Sequence, residues 1–179
     1  MPLKTSRRGL LKAGLIGTAV LVTGGGIASL SGCSREPDSV QGLRFLRQQD
    51  VIFLTALAPV ILQKNYPGSL GPKAESQFLK ALDTLMLTLS EYSQNQLRQL
   101  FDLMSLGPAR VISGGPLVGW EEASPDDVEA FLLGWRDSLF SLKRMGYVSL
   151  SKLVTTSWYA MQENNSQSGY PGPPKKYPA

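Results

Sequence analysis

Histidine is absent from the 179 residues, and cysteine occurs once, at Cys33. A lone thiol forms no disulfide within its own chain, and zinc, haem, iron–sulfur and copper sites lack their usual ligands here. Nucleophilic arrangements that rely on a histidine base are excluded as well. Carboxylates remain open to acid–base chemistry, but no spacing singles out a pair. No stretch alternates with period two for long enough to make a strand, so the expected fold is all-α. Excess charge is also scarce. Eighteen Lys and Arg stand against fourteen Asp and Glu, and four of the cations (Lys4, Arg7, Arg8, Lys12) precede Cys33, where no acid occurs. From Cys33 onward the two signs balance at fourteen each. The pI near 9.3 therefore belongs mostly to the N-terminus and gives no reason to expect a nucleic-acid partner.

What is present begins at Ser6-Arg7-Arg8-Gly9-Leu10-Leu11-Lys12, ahead of a soft apolar run to Leu30. The paired arginines in this setting resemble a twin-arginine export signal, an address read by a receptor whose cargo crosses already folded. Glycines at 14, 17, 24, 25 and 26 lower the run's hydrophobicity and helix propensity below those of a true membrane span. The blander alternatives are an ordinary secretory signal or an uncleaved anchor, since Ala13 to Leu30 is only just long enough to span. Leu30-Ser31-Gly32-Cys33 resembles a bacterial lipobox, in which Cys33 receives the lipid and becomes the first residue. Two acyl chains there suffice for stable anchoring. Ser34 at the following position, by resemblance to Gram-negative lipoproteins, favours the outer membrane. The localisation expected is periplasmic and membrane-anchored.

From Cys33 onward, 147 residues suit one domain with a real core. Ser34 to Gly42 is polar, contains Pro37, and reads as a tether. Phe45 to Lys64 carries a broad helical stripe interrupted by Pro59, where a kink is expected because an interior proline costs about 3 kcal/mol. Ala74 to Leu89 is an amphipathic helix through Phe78, Leu82, Leu85, Met86 and Leu89. Ser93 is a plausible N-cap for a third helix carrying Leu97, Leu100, Phe101 and Met104, stopped by Gly107-Pro108. Gly, Pro and Ser then predict a loop to Trp120 with one helical turn at Ala109 to Ile112. Ser124-Pro125-Asp126-Asp127 is a strong helix start. Val128, Phe131, Leu132, Trp135, Leu139 and Leu142 are expected on one apolar face, with Gly146 as the αL cap. A last helix is expected from about Tyr147 to Met161, presenting Leu150, Leu153, Val154 and Trp158. Aromatic residues on these faces, Trp135 included, are read first as core. The resulting divisions are a signal over 1–32, a lipidated tether over 33–44, a bundle of about five helices over 45–161, and an extended tail over 162–179.

That tail ends in Gly169-Tyr170-Pro171-Gly172-Pro173-Pro174-Lys175-Lys176-Tyr177-Pro178-Ala179. Proline fixes φ and lacks an N–H, so an extended, polyproline-like segment is expected. Its stiffness lowers the entropy lost on docking, and its tyrosines supply amphipathic anchors. A solubilising end and a tail folded back on its own bundle stand beside partner docking as readings.

Trp120, Val128-Glu129-Ala130-Phe131-Leu132, Trp135-Arg136-Asp137-Ser138, Gly146-Tyr147, Leu150-Ser151-Lys152-Leu153-Val154, Trp158-Tyr159 and Gly169 to Pro174, in that order, resemble the gluconate 2-dehydrogenase subunit 3 family. The resemblance implies a non-catalytic small subunit without a cofactor of its own. It implies a large FAD-dependent partner of the glucose-methanol-choline type, sometimes joined by a c-type cytochrome. The small subunit would act as chaperone and escort through the twin-arginine translocase, and the lipobox would add membrane tethering. The contact surface expected comprises Trp158, Tyr159, Tyr170, Pro171, Gly172 and Pro173. The alternative is a stand-alone periplasmic lipoprotein that binds a ligand or scaffolds the envelope. An enzyme working through carboxylates has the least support.

Overall fold

The structure is a computed structural model that describes residues 40–165. The chain divides at Asp38 into two units, and the described residues belong to the second. Five helices of twelve to twenty residues build it: α1 (Gln48–Leu62), α2 (Pro72–Leu87), α3 (Glu91–Ser105), α5 (Pro125–Arg136) and α6 (Ser141–Ala160). Two short ones, α4 (Gly107–Ile112) and α7 (Gln162–Asn165), complete the set, and no strand occurs among the described residues. The all-α bundle read from the sequence is the fold.

Helix α1 is the hub, packing against α3, α5 and α6. Val51, Phe53, Leu54, Leu57, Ala58 and Leu62 are all buried. Apolar residues on several sides of one helix are what a position enclosed by neighbours requires. Pro59 falls in its last turn, and the helix continues past it to Leu62. A 3₁₀ turn over Gln63–Asn65 follows, entered through Gln63 at φ 49°, a left-handed conformation that costs a non-glycine residue strain.

Helix α2 begins at Pro72, two residues before the expected start, with the proline in the first turn where its missing N–H is harmless. Phe78, Leu82 and Met86 are its buried stripe, packed against α6. Helix α3 is capped by Ser90, not Ser93: the Ser90 hydroxyl accepts from the Ser93 backbone N–H at 3.3 Å. Ser93 is the third helical residue, the donor in the cap rather than its acceptor. Gly107-Pro108 ends α3 as expected and at once starts α4, with proline again in a first turn.

The largest departure from expectation lies between α5 and α6. Ser124 and Asp127 form the expected reciprocal capping box, but α5 ends at Arg136 and α6 starts at Ser141, six residues before Tyr147. Ser138 makes the break. Its hydroxyl accepts from the Phe140 N–H at 3.1 Å, a local side-chain bond that competes with helix continuation. Leu139 and Leu142 therefore leave the apolar face and are 95% and 74% exposed. Gly146 is no cap; it lies inside α6, and a Cβ there would fall 2.8 Å from Cε3 of Trp135. Close approach of α6 to the Trp135 ring is what requires glycine at this position. Gln162–Asn165, at the start of the segment expected to be extended, forms the helical turn α7.

Candidate functional site

The entry to the domain is held by two buried carboxylates. Asp83, on α2, accepts backbone N–H groups from Arg44 (3.0 Å), Phe45 (2.8 Å) and Leu46 (2.9 Å). Asp50, in the first turn of α1, is 1% exposed and bridges Arg47 at 3.0 Å and Arg98 at 3.1 Å. Arg47 reaches on to Asp102 at 2.6 Å, while Arg98 donates to the Phe45 carbonyl and lies 4.0 Å from the centre of the Phe45 ring. Burial acts to lower the Arg47 pKa, but hydrogen bonds to Asp50 and Asp102 outweigh it and the net shift is upward. The Arg98 pKa is lowered, first by burial and then by the neighbouring Arg47 charge. A guanidinium remains a cation at neutral pH through either shift. With their oxygens committed to N–H groups and cations, these acids brace the segment that leads into the bundle.

A second constellation lies where the α1–α2 connection meets the end of α6. Phe78, Trp158 and Tyr66 form an aromatic cluster, with ring centroids 5.7 Å apart for Phe78–Trp158 and 5.6 Å for Tyr66–Trp158. Beside it opens a groove of about 310 Å³, lined by Tyr66, Pro67, Leu70, Trp158, Met161 and Asn164 among others. The Tyr66 pKa is raised, chiefly by burial and then by the Glu75 charge, so its hydroxyl is a neutral donor at physiological pH. Asn65 donates to the Tyr159 hydroxyl at 2.9 Å, tying the rim to α6. The Trp158 indole Nε1 is enclosed yet has no hydrogen-bond partner among the described residues. Buried indole N–H groups ordinarily find one.

The α4 and α5–α6 end exposes large apolar side chains, with the charges of Arg136, Asp137 and Arg144 among them. Of the large hydrophobic side chains exposed among the described residues, all except Tyr92 fall between Leu103 and Val148. Ile112, Leu117, Leu139, Phe140, Leu142 and Met145 are each more than 60% exposed. The Ser113 carbonyl fastens α4 to the α5–α6 corner by accepting from Trp135 Nε1 at 2.8 Å and Lys143 Nζ at 3.0 Å. Ile112 and Leu142, each the chain neighbour of one of these partners, are thereby brought to the same end.

The expected contact residues fare differently. Trp158 is 2% exposed, because α6 turns positions 150, 154 and 158 inward together, and it meets the surface only as part of the groove wall. Tyr159 is half-buried at the groove's edge. Ser6, Arg7, Arg8, Leu10, Leu11, Lys12 and Cys33 lie outside the described residues, as do Tyr170, Pro171, Gly172 and Pro173. Sequence reasoning missed the apolar corner. Asp137-Ser138, a pair that favours turns over helix interiors, was the signal that could have found it. It also missed Tyr66 and Pro67 as groove walls. Among the described residues no helix is long and apolar enough to cross a membrane, and no three His, Cys, Asp or Glu gather as a metal site. No family model, curated protein or solved structure matches this chain.

Proposed function

We propose that this chain is the non-catalytic small subunit of a periplasmic flavin-dependent dehydrogenase, assisting maturation, twin-arginine export and membrane tethering of a large FAD-containing subunit of the glucose-methanol-choline type. The observation that carries the reading is the apolar end formed by α4 and the α5–α6 corner. Leu139, Phe140 and Leu142 stand in solvent, while Phe131 and Trp135 of the preceding helix are buried in the core. Contiguous exposed apolar side chains on a well-packed body mark a surface that another molecule covers. Such a surface suits a docking subunit more than a catalyst. The Ser6 to Lys12 motif supports export in the folded state, and Cys33 behind Leu30-Ser31-Gly32 supports a lipid tether. A c-type cytochrome fits the same assembly as electron acceptor, and the FAD belongs to the large subunit.

Affinity isolation of the native protein from detergent-solubilised envelopes, followed by visible spectroscopy and mass analysis, tests this. A flavin spectrum with a much larger protein in near-equal amount is expected, and Phe140→Asp with Leu142→Asp should abolish its recovery while leaving the helical content intact. Recovery of this chain alone and colourless, under conditions that preserve other envelope complexes, would replace the reading with that of a stand-alone lipoprotein.

A further inference from the structure

We propose that the first half of α6 and the Leu139–Phe140 corner dock against a protein surface whose apolar centre is bordered by carboxylates, a statement of the partner's chemistry that rests on the subunit reading above.

Three observations converge on this occupant. The first is how α6 is buried. Its buried residues, from Leu150 to Trp158, all fall in its second half. None from Ser141 to Ser149 is buried, and Leu142, Met145 and Val148, at helical spacing, are 74%, 64% and 45% exposed. Arg144, Met145 and Val148, with Ser141 and Ser149, line a shallow hollow of about 330 Å³ along this stretch. A helical rise of about 13 Å thus turns apolar side chains outward, where a surface helix ordinarily shows polar ones.

The second is charge. Arg110, Lys143 and Arg144 sit at this end, and none of them belongs to an ion pair among the described residues. Their partners are backbone carbonyls instead: Pro116 for Arg110 at 3.0 Å, Ser113 for Lys143 at 3.0 Å, and Ser138 for Arg144. Arg136, by contrast, is neutralised by Asp137 at 2.9 Å. Uncompensated positive charge therefore stands among exposed apolar side chains, and its complement is negative. That sign excludes the occupants this chain could itself supply. A second copy placed face to face would oppose the same cations. The residues after Asn165 include Lys175 and Lys176 and no Asp or Glu, and those before Cys33 carry four cations and no Asp or Glu.

The third is fixity. A cation bonded to a backbone carbonyl holds one position, whereas a lipid headgroup layer is fluid and is met by long side chains that reach freely. Charges set in place match carboxylates that are also set in place, as they are on a folded protein. Lys143 and Arg144 each keep donors to spare beyond the bond to a carbonyl, and a charged pair across an interface fixes register as well as sign.

The larger protein isolated with the native chain is the probe, released from it and titrated with the unaltered chain and with a Lys143→Gln, Arg144→Gln variant, which loses two charges and keeps amide donors. The expected result is an affinity for the unaltered chain that falls as salt rises, and a variant weaker by about tenfold at low salt with a shallower salt dependence. A carbodiimide, which condenses an amine and a touching carboxylate with loss of water, should join Lys143 to an Asp or Glu of the larger protein; this readout uses the unaltered chain and decides the outcome if the variant loses helical content. Equal affinities for a folded variant, with no cross-link at Lys143, would overturn the acid-bordered face and leave the subunit reading standing. A charge-sensitive larger protein without flavin would support the face and overturn that reading, and isolation of the chain alone would overturn both. Vesicles of phosphatidylglycerol probe the other anionic source: if a Cys33→Ala chain binds them and loses that binding with the two charges, while the larger protein is indifferent to the substitutions, the face belongs to a lipid surface and the proposal is overturned.

Discussion

Two aromatic clusters stabilise this bundle, and they are finished to different degrees. One is a ladder: Phe101 meets Phe53 at 6.0 Å between ring centroids, Phe53 meets Trp120 at 4.8 Å, Trp120 meets Phe131 at 5.2 Å, and Phe131 meets Trp135 at 4.8 Å. Both of its indoles donate to backbone carbonyls, of Met104 and Ser113. The other is the trio Phe78, Trp158 and Tyr66, which borders a groove and leaves its indole donor unpaired. A ladder with every polar handle satisfied is a scaffold that specifies one arrangement. The other cluster keeps an enclosed donor unspent and specifies its arrangement by ring packing alone. The closed cluster backs the α4 and α5–α6 end through Trp135, and the open one borders the groove.

The sharpest way to break the comparison is to remove the centre of the ladder. Phe131 is 1% exposed and touches both Trp120 and Trp135, so Phe131→Ala should cost about 3–5 kcal/mol by denaturant unfolding. The same experiment should show Trp135 fluorescence losing its buried character before the Tyr66–Trp158 region responds. A loss under 1 kcal/mol would mean that the ladder is not the scaffold.

Next in size is Gly146. A methyl there would overlap the Trp135 ring, and that ring is held by its bond to Ser113. Gly146→Ala gains about 1 kcal/mol of helix propensity, but overpacking costs about 1–3 kcal/mol and displacing Trp135 strands its N–H, adding about 1 kcal/mol. Net destabilisation of about 1–3 kcal/mol is expected in thermal unfolding, and Gly146→Ala in a Trp135→Leu background should cost less.

A smaller effect compares the clusters directly. Trp120→Phe removes a hydrogen bond and leaves the buried Met104 carbonyl without its donor; Trp158→Phe removes a donor with no acceptor among the described residues. Beyond the volume lost by both, Trp120→Phe should be worse by about 1 kcal/mol. Equal losses would show that Trp158 Nε1 has an acceptor in solution.

Helix existence was legible from the sequence wherever periodicity and capping agreed. Phe78, Leu82 and Met86 repeat every four residues with no competing signal, and α2 follows them. Ser124-Pro125-Asp126-Asp127 combines a cap, an N-terminal proline and acids at the positive helix end, and α5 starts there. Boundaries failed where two readings shared one period. Leu139 and Leu142 continue the spacing of Leu132 and Trp135, so a single long helix accounts for them as well as two short ones do; the local hydrogen bond from the Phe140 N–H to the Ser138 hydroxyl decides between the two, and hydrophobic periodicity does not register it. Gly146 shows the same ambiguity, since a glycine marks either a cap or a close approach. The clasp at Asp50 and Asp83 was invisible because its partners, Arg98 and the N–H groups of residues 44–46, lie 37 to 48 positions away. The groove was invisible for a related reason: it joins Tyr66 to Trp158, and only packing brings them together.

The smallest effect expected concerns how the ladder is started. Phe131 and Trp135 ride on α5, whose first turn is fixed by Ser124 and Asp127: the Asp127 N–H donates to the Ser124 hydroxyl oxygen at 3.2 Å, and the Asp127 carboxylate accepts from the Ser124 hydroxyl at 2.6 Å and its N–H at 3.2 Å. These bonds, the hydroxyl's first and the backbone's second, hold the Asp127 pKa below the ordinary carboxylate value. A carboxylate depressed in the folded state binds fewer protons there than in the unfolded one. Its contribution is therefore complete above the unfolded value, about 3.9, and disappears as pH falls from there through the folded value. Asp127→Asn should remove that slope while leaving other acid-linked losses in place, so unfolding curves of the two proteins should converge toward low pH and separate above about pH 4. The closed ladder should feel the change and the Tyr66–Trp158 groove should not, because the cap belongs to α5 and the groove to the α1–α2 connection and α6. Parallel curves across the whole range would show that the capping box contributes nothing to α5, and the ladder's order would then rest on ring packing alone.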